Sequence, residues 1–263
     1  MNLYTYYGVT QLNSINDAIT YDKGMDMKFV MMHQWTSDIK EAAKTQEKLV
    51  HFVDIQPTHN EINTIAGADV AYSKRDNAIF ASVVLMKYPE LIPLEKVRAQ
   101  SYVDFPYIPG FLFYREGPVL AKALERLEEV PDVIMFDATG IAHPKRIGMA
   151  SQFGVLLDIS TIGVAKKKLI GNYHEVEDSI GAASILELES EQLGYAVRTR
   201  GGVKPLFVSP GHKIDAKQSL DLVVSTTRGY RLPEPLRVAH IMVNKMRRNY
   251  DNRQKAQTQQ TST

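Results

Sequence analysis

Three acidic residues of this 263-residue chain lie where a charged side chain is costly to place. Asp69 lies inside the apolar run TIAGADVAY, Asp137 ends the run DVIMFD, and Glu116 ends the segment YIPGFLFYRE. Each alone has an ordinary explanation: a strand edge or bulge for Asp69, a turn for Asp137, and a first-turn helix glutamate for Glu116. Clustered carboxylates, however, repel one another unless a cation lies among them, and oxygen ligands favour Mg²⁺ or Mn²⁺. Together the three residues predict a divalent-metal site.

Basic residues that follow these carboxylates suit phosphate chemistry. His143 comes six residues after Asp137 in the segment GIAHPKRIGMAS, and Lys166 follows the apolar run TIGVA. A lysine at the end of a parallel strand lies on the same sheet edge as Asp137, where open α/β sheets place their ligands. Lys145 and Arg146 are expected to open a helix whose free N–H groups favour an anion. The set favours metal-assisted hydrolysis of a phosphodiester.

A short segment between two predicted elements, PYIPG, has an unusual composition. It consists of Pro106, Tyr107, Ile108, Pro109 and Gly110. The prolines and the glycine give it a stiff, preset backbone that holds Tyr107 and Ile108 outward. Such a segment can simply connect a strand to a helix. In a nuclease, a rigid aromatic tip can also wedge between base steps and hold an extruded base.

The elements that must position these residues follow from hydrophobic periodicity. The first half predicts a helix over 36–53 with Thr36 as its N-cap, and strands over 64–72, 78–87 and 98–105. Short connections arrange the three strands as an antiparallel meander. The second half predicts helices over 118–130, 146–157, 179–192, 216–227 and from Pro233 or Pro235 to about 250. Strands are predicted over 132–137 and 161–165, with a hairpin formed by 195–199 and 203–209.

This order predicts an α/β fold with one domain. Its mixed sheet has an antiparallel three-strand meander followed by parallel crossover units, and helices cover both faces. Residues 27–250 form the domain, residues 1–26 are an appendage without a clear period, and residues 251–263 are a polar tail expected to be disordered.

Composition excludes several classes of function. The chain has no cysteine, which excludes disulfides, thiolate metal sites and cysteine nucleophiles. It has no run of 18 apolar residues and no signal-peptide pattern, so we expect a cytoplasmic protein, or a nuclear one in a eukaryote, without a membrane partner. The net charge is only +1, but residues 143–171 and 245–255 each carry five Lys and Arg against one Asp, whereas residues 175–191 carry six acidic residues and no basic one. A polyanion must therefore be held by a local patch.

Several motifs in order give the chain a family resemblance. GADVAY, FPYIPGFLFYREGP, DATGIAHPKRIG, TIGVAKKKLIG and RTRGGVKPLFVSPGH are followed by LPEP, between about residues 27 and 248. With these motifs the chain resembles the endonuclease V family of deoxyinosine-directed DNA repair nucleases. The resemblance implies an RNase H-like fold and Mg²⁺-dependent hydrolysis, with Mn²⁺ as a substitute. It also implies cleavage of the second phosphodiester 3′ to hypoxanthine, which leaves 3′-hydroxyl and 5′-phosphate ends.

The resemblance also implies roles for individual residues in a monomeric enzyme that binds inosine-containing DNA. The implied metal ligands are Asp69, Glu116 and Asp137. The residues near the scissile phosphate are His143 and Lys166. The strand-separating wedge is Pro106 to Gly110, with Tyr107 at its tip. The implied base pocket, which reads hypoxanthine through backbone groups and apolar walls, is formed by Gly110, Leu112, Gly148, Met149 and Leu169.

Three positions depart from the family pattern. Ala138 lies where glycine is usual and could crowd the turn after Asp137, Gln152 replaces a common histidine, and His240 lies where some members carry an acidic residue. Three alternatives stay open: an inosine-directed ribonuclease, another RNase H-like nuclease that cuts beside bulky damage, and a binding protein for altered nucleic acid that has lost catalysis. Metal-dependent nicking of an inosine duplex separates the deoxyinosine-directed enzyme from the binding protein.

Overall fold

The strands of the protein lie in one eight-stranded sheet in the computed structural model, which describes residues 35–260, and side chains as far as residue 257. The residues 1–26 that the sequence assigns to an appendage lie outside this range. The strands are β1 Thr64–Tyr72, β2 Ala78–Lys87, β3 Ile92–Tyr102, β4 Val133–Phe136, β5 Ser160–Ala165, β6 Ala183–Leu188, β7 Glu191–Val197 and β8 Leu206–His212. Their order across the sheet is β3-β2-β1-β4-β5-β8-β7-β6.

The sheet combines antiparallel and parallel pairs. Strands β1, β2 and β3 form the antiparallel meander, and β4 and β5 add in parallel on the other side of β1. Strand β8 then runs antiparallel to β5, and β7 and β6 complete the edge. The predicted fold class is confirmed, and the order of the first five strands is the one that an RNase H-like fold requires.

Helices cover both faces of the sheet. They are α1 Ile39–Leu49, α2 Leu112–Leu124, α3 Met149–Leu157, α4 Ala216–Ser225 and α5 Glu234–Gln260. Because strand side chains alternate, Phe136 packs with α1, α2 and α3 on one face, whereas Met135 packs with α4 and α5 on the other. Full burial of such a side chain contributes roughly 1.5–3 kcal/mol. No helix among residues 35–260 is long and apolar enough to cross a membrane.

Helix α2 begins earlier than the sequence predicts, which changes the setting of Glu116. It begins at Leu112 and contains Pro118 in its interior, so Glu116 is not a first-turn residue. The buried ring of Phe113 lies 5.0 Å from that of Phe153 in α3. Burial of aromatic rings in this first turn offsets the cost of an interior proline.

Other boundaries also differ from the prediction. Residues 179–192 were expected to be helical, but they contribute to β6 and β7, joined by a turn in which Glu189 and Ser190 have φ of 51° and 70°. The N-cap of α1 is Asp38 instead of Thr36, since the Asp38 side chain accepts from two backbone N–H groups. Helix α5 continues beyond residue 250, into the stretch predicted as a tail, because Asp251 accepts a hydrogen bond from Ser73 at 2.9 Å.

Candidate active site

Two aspartates lie at one edge of the sheet because their strands are parallel neighbours. Asp69 lies within β1, directly after Ala68, and Asp137 directly follows Phe136, the last residue of β4. Because Ala68 and Phe136 are the last partners in the parallel pairing of β1 with β4, the two aspartates occupy neighbouring positions just beyond it. Asp69 is 7% exposed, and its Oδ1 accepts a hydrogen bond from the backbone N–H of Val70 at 2.8 Å. The convergence that the sequence predicts is present.

His240 of α5 joins these aspartates. Its Nδ1 lies 2.7 Å from Asp69 Oδ2, and ligand atoms of Asp69, Asp137 and His240 all lie within 4.8 Å of one another. His240 is not among the site residues that the sequence predicts. One feature of the sequence does indicate this role: His240 occupies a position where some family members carry an acidic residue. A lone histidine in a predicted helix is otherwise indistinguishable from a surface residue.

Glu116 lies next to this cluster and is held by a tyrosine. The hydroxyl of Tyr72 donates to Glu116 Oε1 at 2.8 Å. Burial, followed by the charges of Asp69 and Asp137, raises the pKa of Glu116 to about 8, although the Tyr72 hydrogen bond lowers it. Burial and the charge of Asp69 likewise raise the pKa of Asp137 to about 6. The carboxyl groups oppose one another's ionisation.

This donor set fits a divalent metal ion. Carboxylate oxygens are the ligands that Mg²⁺ and Mn²⁺ prefer, and an imidazole nitrogen is a common further ligand for transition metals. A cation among Asp69, Asp137 and His240 would relieve the repulsion that now raises the carboxyl pKa values. The charges of Asp69 and Asp137 raise the pKa of Glu116, so Glu116 lies near both aspartates. It is not one of the three residues whose ligand atoms lie within 4.8 Å of one another.

Lys166 brings a positive charge to the same place. It directly follows β5, and its Nζ contacts Asp137 Oδ2. The guanidinium of Arg231 donates to the backbone oxygen of Lys166 at 2.8 Å, which fixes the chain at this point. Lys166 lowers the pKa of Asp137, but less than burial raises it. The lysine thus lies on the sheet edge that its sequence position indicates.

His143 is placed differently from the carboxylates and Lys166. Its Nδ1 accepts the backbone N–H of Lys145 at 3.2 Å, so the proton is on Nε2, which donates to the oxygen of Gly110 at 3.0 Å. Burial lowers the pKa of His143 to about 4, with a contribution from the nearby charges of Lys145 and Arg146. His143 is therefore neutral, and both ring nitrogens are engaged in holding backbone.

The expectation that Lys145 and Arg146 open a helix is wrong. Helix α3 begins at Met149, and Arg146 has a positive φ of 56° that a helix does not allow. Their side chains form ion pairs with acidic residues instead: Lys145 with Glu47 at 3.2 Å and Arg146 with Glu191 at 2.7 Å.

The PYIPG segment has a fixed base and an exposed tip. Tyr107 is 72% exposed. At the base, the oxygen of Gly110 accepts hydrogen bonds from both His143 and the buried Gln46, the latter at 2.8 Å. Gly110 has φ of 86°, a conformation that other residues adopt only with strain. Phe105 packs its ring against that of Phe111 at a centroid distance of 6.3 Å.

A pocket of about 260 Å³ lies between this segment and Asp137. All five residues proposed for the base pocket line it: Gly110, Leu112, Gly148, Met149 and Leu169. Asp137, Lys166 and Tyr107 line it as well. At Gly148 a Cβ would lie 2.3 Å from the oxygen of Thr139, so the close approach of α3 to the turn after β4 requires glycine.

Two of the departures from the family pattern lie in this pocket. Ala138 is buried and is not among the residues with positive φ, so the backbone of the turn accommodates a residue with a Cβ at this position. Gln152 is 1% exposed, and its side-chain N–H donates to the oxygen of Ile147 at 3.3 Å. Neither residue is among the three whose ligand atoms form the candidate metal cluster.

Comparison with known proteins points to one family. The sequence profile of the endonuclease V family matches residues 47–241. The endonuclease V of Dehalococcoides mccartyi is 42% identical over 217 residues, which are 82% of this chain and 97% of that protein. The endonuclease V of Methanothrix thermoacetophila is 43% identical over 218 residues, 83% of this chain and 96% of that protein.

Solved structures agree with the sequence comparison. The crystal structure of endonuclease V from Bacillus subtilis is similar with a TM-score of 0.82 and 31% identity, covering 86% of this chain and 100% of that one. The endonuclease V of Ciona intestinalis, solved in complex with a 24mer DNA containing an inosine followed by a ribo-adenosine, is similar with a TM-score of 0.70 and 27% identity. That match covers 81% of this chain and 98% of the other.

Proposed function

The chain belongs to the endonuclease V family, and from this premise we propose that it nicks DNA at the second phosphodiester 3′ to a deaminated adenine. The products are 3′-hydroxyl and 5′-phosphate ends. The observation that carries the proposal is the continuity of the site: Asp137 belongs to the cluster of two aspartates and a histidine, and it also lines, with Lys166 and the exposed Tyr107, the neighbouring pocket. The site thus places three features next to one another: a hydrolytic centre, a pocket for a base, and a residue that can fill the space the base leaves in the stack.

For the chemistry, we assign metal binding to Asp69, Asp137 and His240, with Glu116 as the fourth group. We propose Mg²⁺ as the ion, with Mn²⁺ as a substitute; when bound, it stabilises charge on the phosphate and acidifies a water. Lys166 donates from Nζ to an oxygen of the scissile phosphate. Glu116, whose Oε1 accepts a hydrogen bond from Tyr72, would offer its other oxygen to the ion in place of the proton that burial favours.

For recognition, we assign the extruded base to the pocket formed by Gly110, Leu112, Gly148, Met149 and Leu169. Backbone groups there can pair with the N1–H and O6 of hypoxanthine, whereas adenine presents an amino group at the same place. Tyr107 takes the space that the base leaves. His143 holds the wedge segment through Gly110, so we assign it a positioning role instead of proton transfer.

The test of this function is strand nicking. A duplex with one inosine, incubated with Mg²⁺, is expected to be cut, whereas EDTA or an adenine in place of inosine should prevent the cut. Asp137→Asn should reduce nicking by orders of magnitude but retain duplex binding in Ca²⁺, since affinity comes largely from phosphate contacts. Full activity of Asp137→Asn, or equal cutting of the adenine duplex, would contradict the proposal.

Two further arms of the same assay address the alternatives. An inosine in RNA tests the ribonuclease alternative, because a backbone-lined base pocket does not read the sugar directly. Wild-type protein that binds the inosine duplex but does not cut it would favour the binding protein instead. We also infer a monomer in the cytoplasm, testable by sedimentation and by cell fractionation.

A further inference from the structure

A groove between β3 and α5 lies apart from the candidate active site. It has a volume of about 340 Å³ and is lined by Lys96, Arg98, Met242, Lys245, Met246 and Asn249. Lys96 and Arg98 extend from the edge strand of the sheet, and the other four residues occupy one flank of the helix. The groove thus combines three cationic side chains and an amide with two apolar methionine walls.

The positive charge of this groove is not neutralised within the described residues. Lys96, Arg98 and Lys245 are exposed and form no ion pair there, whereas Arg247 on the same helix is paired with Asp251 at 3.2 Å. Three like charges around one groove repel one another and favour a bound anion. Because the whole chain carries a net charge of only +1, such local groups determine where a polyanion is held.

The sheet register relates this groove to the metal cluster. Asp69 is opposite Ser82 of β2, and Ser82 is opposite Arg98 of β3. Residues opposite one another in antiparallel strands point to the same face, and two strand spacings separate Asp69 from Arg98 by about 10 Å. Ser82 donates to the oxygen of Ala239 at 2.7 Å, so α5 crosses the sheet between them.

Helix α5 therefore has two different flanks. One flank carries His240, which contacts Asp69, and the other carries Lys245 and the methionines of the groove. The exposed residues between these flanks include Arg248, a further cation without an ion pair in the described part of the chain. A chain of phosphates that passes from the metal cluster over α5 reaches the groove without crossing an acidic side chain on this helix face.

We propose that this groove binds a backbone phosphate of the substrate nucleic acid, at a distance from the bond that is cut. Lys96, Arg98 and Lys245 contact the phosphate oxygens, Asn249 donates a hydrogen bond, and Met242 and Met246 pack against the adjoining sugar. The contact does not read sequence, because it involves only the backbone. The proposal rests on the proposed function in that the polyanion is taken to be the enzyme's own substrate.

The experiment compares two variants with the same change in net charge. The groove variant is Lys96→Gln, Arg98→Gln, Lys245→Gln. The control is Lys87→Gln, Lys122→Gln, Lys217→Gln, whose lysines lie outside the groove and hydrogen-bond Glu90, Ser101 and Asp221. Dissociation constants are measured by fluorescence anisotropy with Ca²⁺ in place of Mg²⁺, over a range of salt concentrations, on duplexes with and without one inosine.

We expect the groove variant to bind both duplexes about tenfold more weakly at low salt. The slope of log K against log salt should become less steep by about 1, as for the loss of one phosphate contact. The control variant should keep the wild-type slope. Identical slopes for groove variant, control and wild type would overturn the proposal, as would a loss confined to the cleavage rate at saturating enzyme.

The result can be separated from the proposed function. The duplex without inosine reports on the groove even if the enzyme proves not to recognise inosine, and nicking by the wild type reports on the function without reference to the groove. Thermal unfolding checks that the variants fold. If the triple variant does not, Lys245→Glu at an exposed helix position is compared with Lys217→Glu, which has the same change in net charge, and an unchanged salt slope in Lys245→Glu would equally overturn the proposal.

Discussion

His240 Nδ1 lies 2.7 Å from Asp69 Oδ2, although the two residues are 171 positions apart in the chain. The contact joins the last helix to the first strand at the candidate metal cluster. With a candidate metal ligand on α5, the geometry of the site depends on how this helix packs against β1 and β2.

His240→Ala should weaken divalent-metal binding roughly 10- to 100-fold, as is typical when a residue supporting a metal site is lost. The reason is that the ring supplies the third ligand atom of the cluster with Asp69 and Asp137. Mn²⁺ affinity, measured by electron paramagnetic resonance or calorimetry, checks this without reference to cleavage. Ile241→Ala, at a half-exposed neighbouring position, is the matched control. Equal Mn²⁺ affinity in both variants would remove His240 from the site.

The stability of the metal-free protein should depend on pH through Glu116. Burial and neighbouring carboxylates raise its pKa from 4.5 to about 8, so the folded state favours the protonated form. This stabilisation is fully present below pH 4.5 and is lost as the pH rises to about 8. Glu116→Gln, which cannot ionise, should therefore show a weaker fall in melting temperature between pH 5 and 8. A divalent ion should offset the fall in the wild type but less so in the variant; parallel pH profiles without metal would contradict the assignment.

Lys166→Ala should lower the rate of cleavage more than it weakens DNA binding. Lys168→Ala, at a neighbouring lysine, should not lower the rate in this way. Lys166 Nζ contacts Asp137 Oδ2 at the metal cluster, but Lys168 lies over the ring of Tyr173 at 5.6 Å, away from that cluster. Removal of a donor that stabilises transition-state charge typically costs about 100- to 1,000-fold in rate. Single-turnover nicking by Lys166→Ala and Lys168→Ala makes the comparison. The same loss of rate in both variants would mean that Lys166 is an ordinary surface charge.

The carboxylates could be predicted from the sequence because each interrupts or ends an apolar run. The same run that forms β1 makes Asp69 conspicuous, and the run that forms β4 does so for Asp137. The carboxyl ends of parallel strands lie at the same edge of a sheet, so the proximity of Asp69 and Asp137 could be predicted as well. The local sequence thus indicates both the apolar strand and the acidic residue that does not fit an apolar strand.

Other parts of the site depend on tertiary packing that leaves no local signal. Gln46 lies in a helix rich in charged residues, yet it is fully buried and holds Gly110 through its side-chain N–H. His240 likewise gains its role only when α5 lies on the sheet. The β6–β7 turn was missed because Glu189 and Ser190 occupy positions of positive φ that usually hold Asn or Gly. Tertiary contacts override the helical propensity of the surrounding Glu and Leu.

Substitution of Tyr107 should impair recognition of the inosine in a duplex and leave the chemistry of cleavage largely intact. Its ring is 72% exposed on a segment fixed through Gly110, so it can enter a duplex while the carboxylates stay in place. Extruding a base costs a few kcal/mol, and an inserted ring restores part of the lost stacking, which is worth about 1–3 kcal/mol per base. Tyr107→Ala should therefore lower kcat/KM about tenfold or more on a paired inosine duplex, and Tyr107→Phe should retain most of it. On single-stranded inosine DNA, which has little stacking to break, the loss should be much smaller. Tyr230→Ala, at another exposed tyrosine, controls for the loss of a surface ring. An equal proportional loss on the two substrates would mean that Tyr107 supports the structure of the site and does not separate strands.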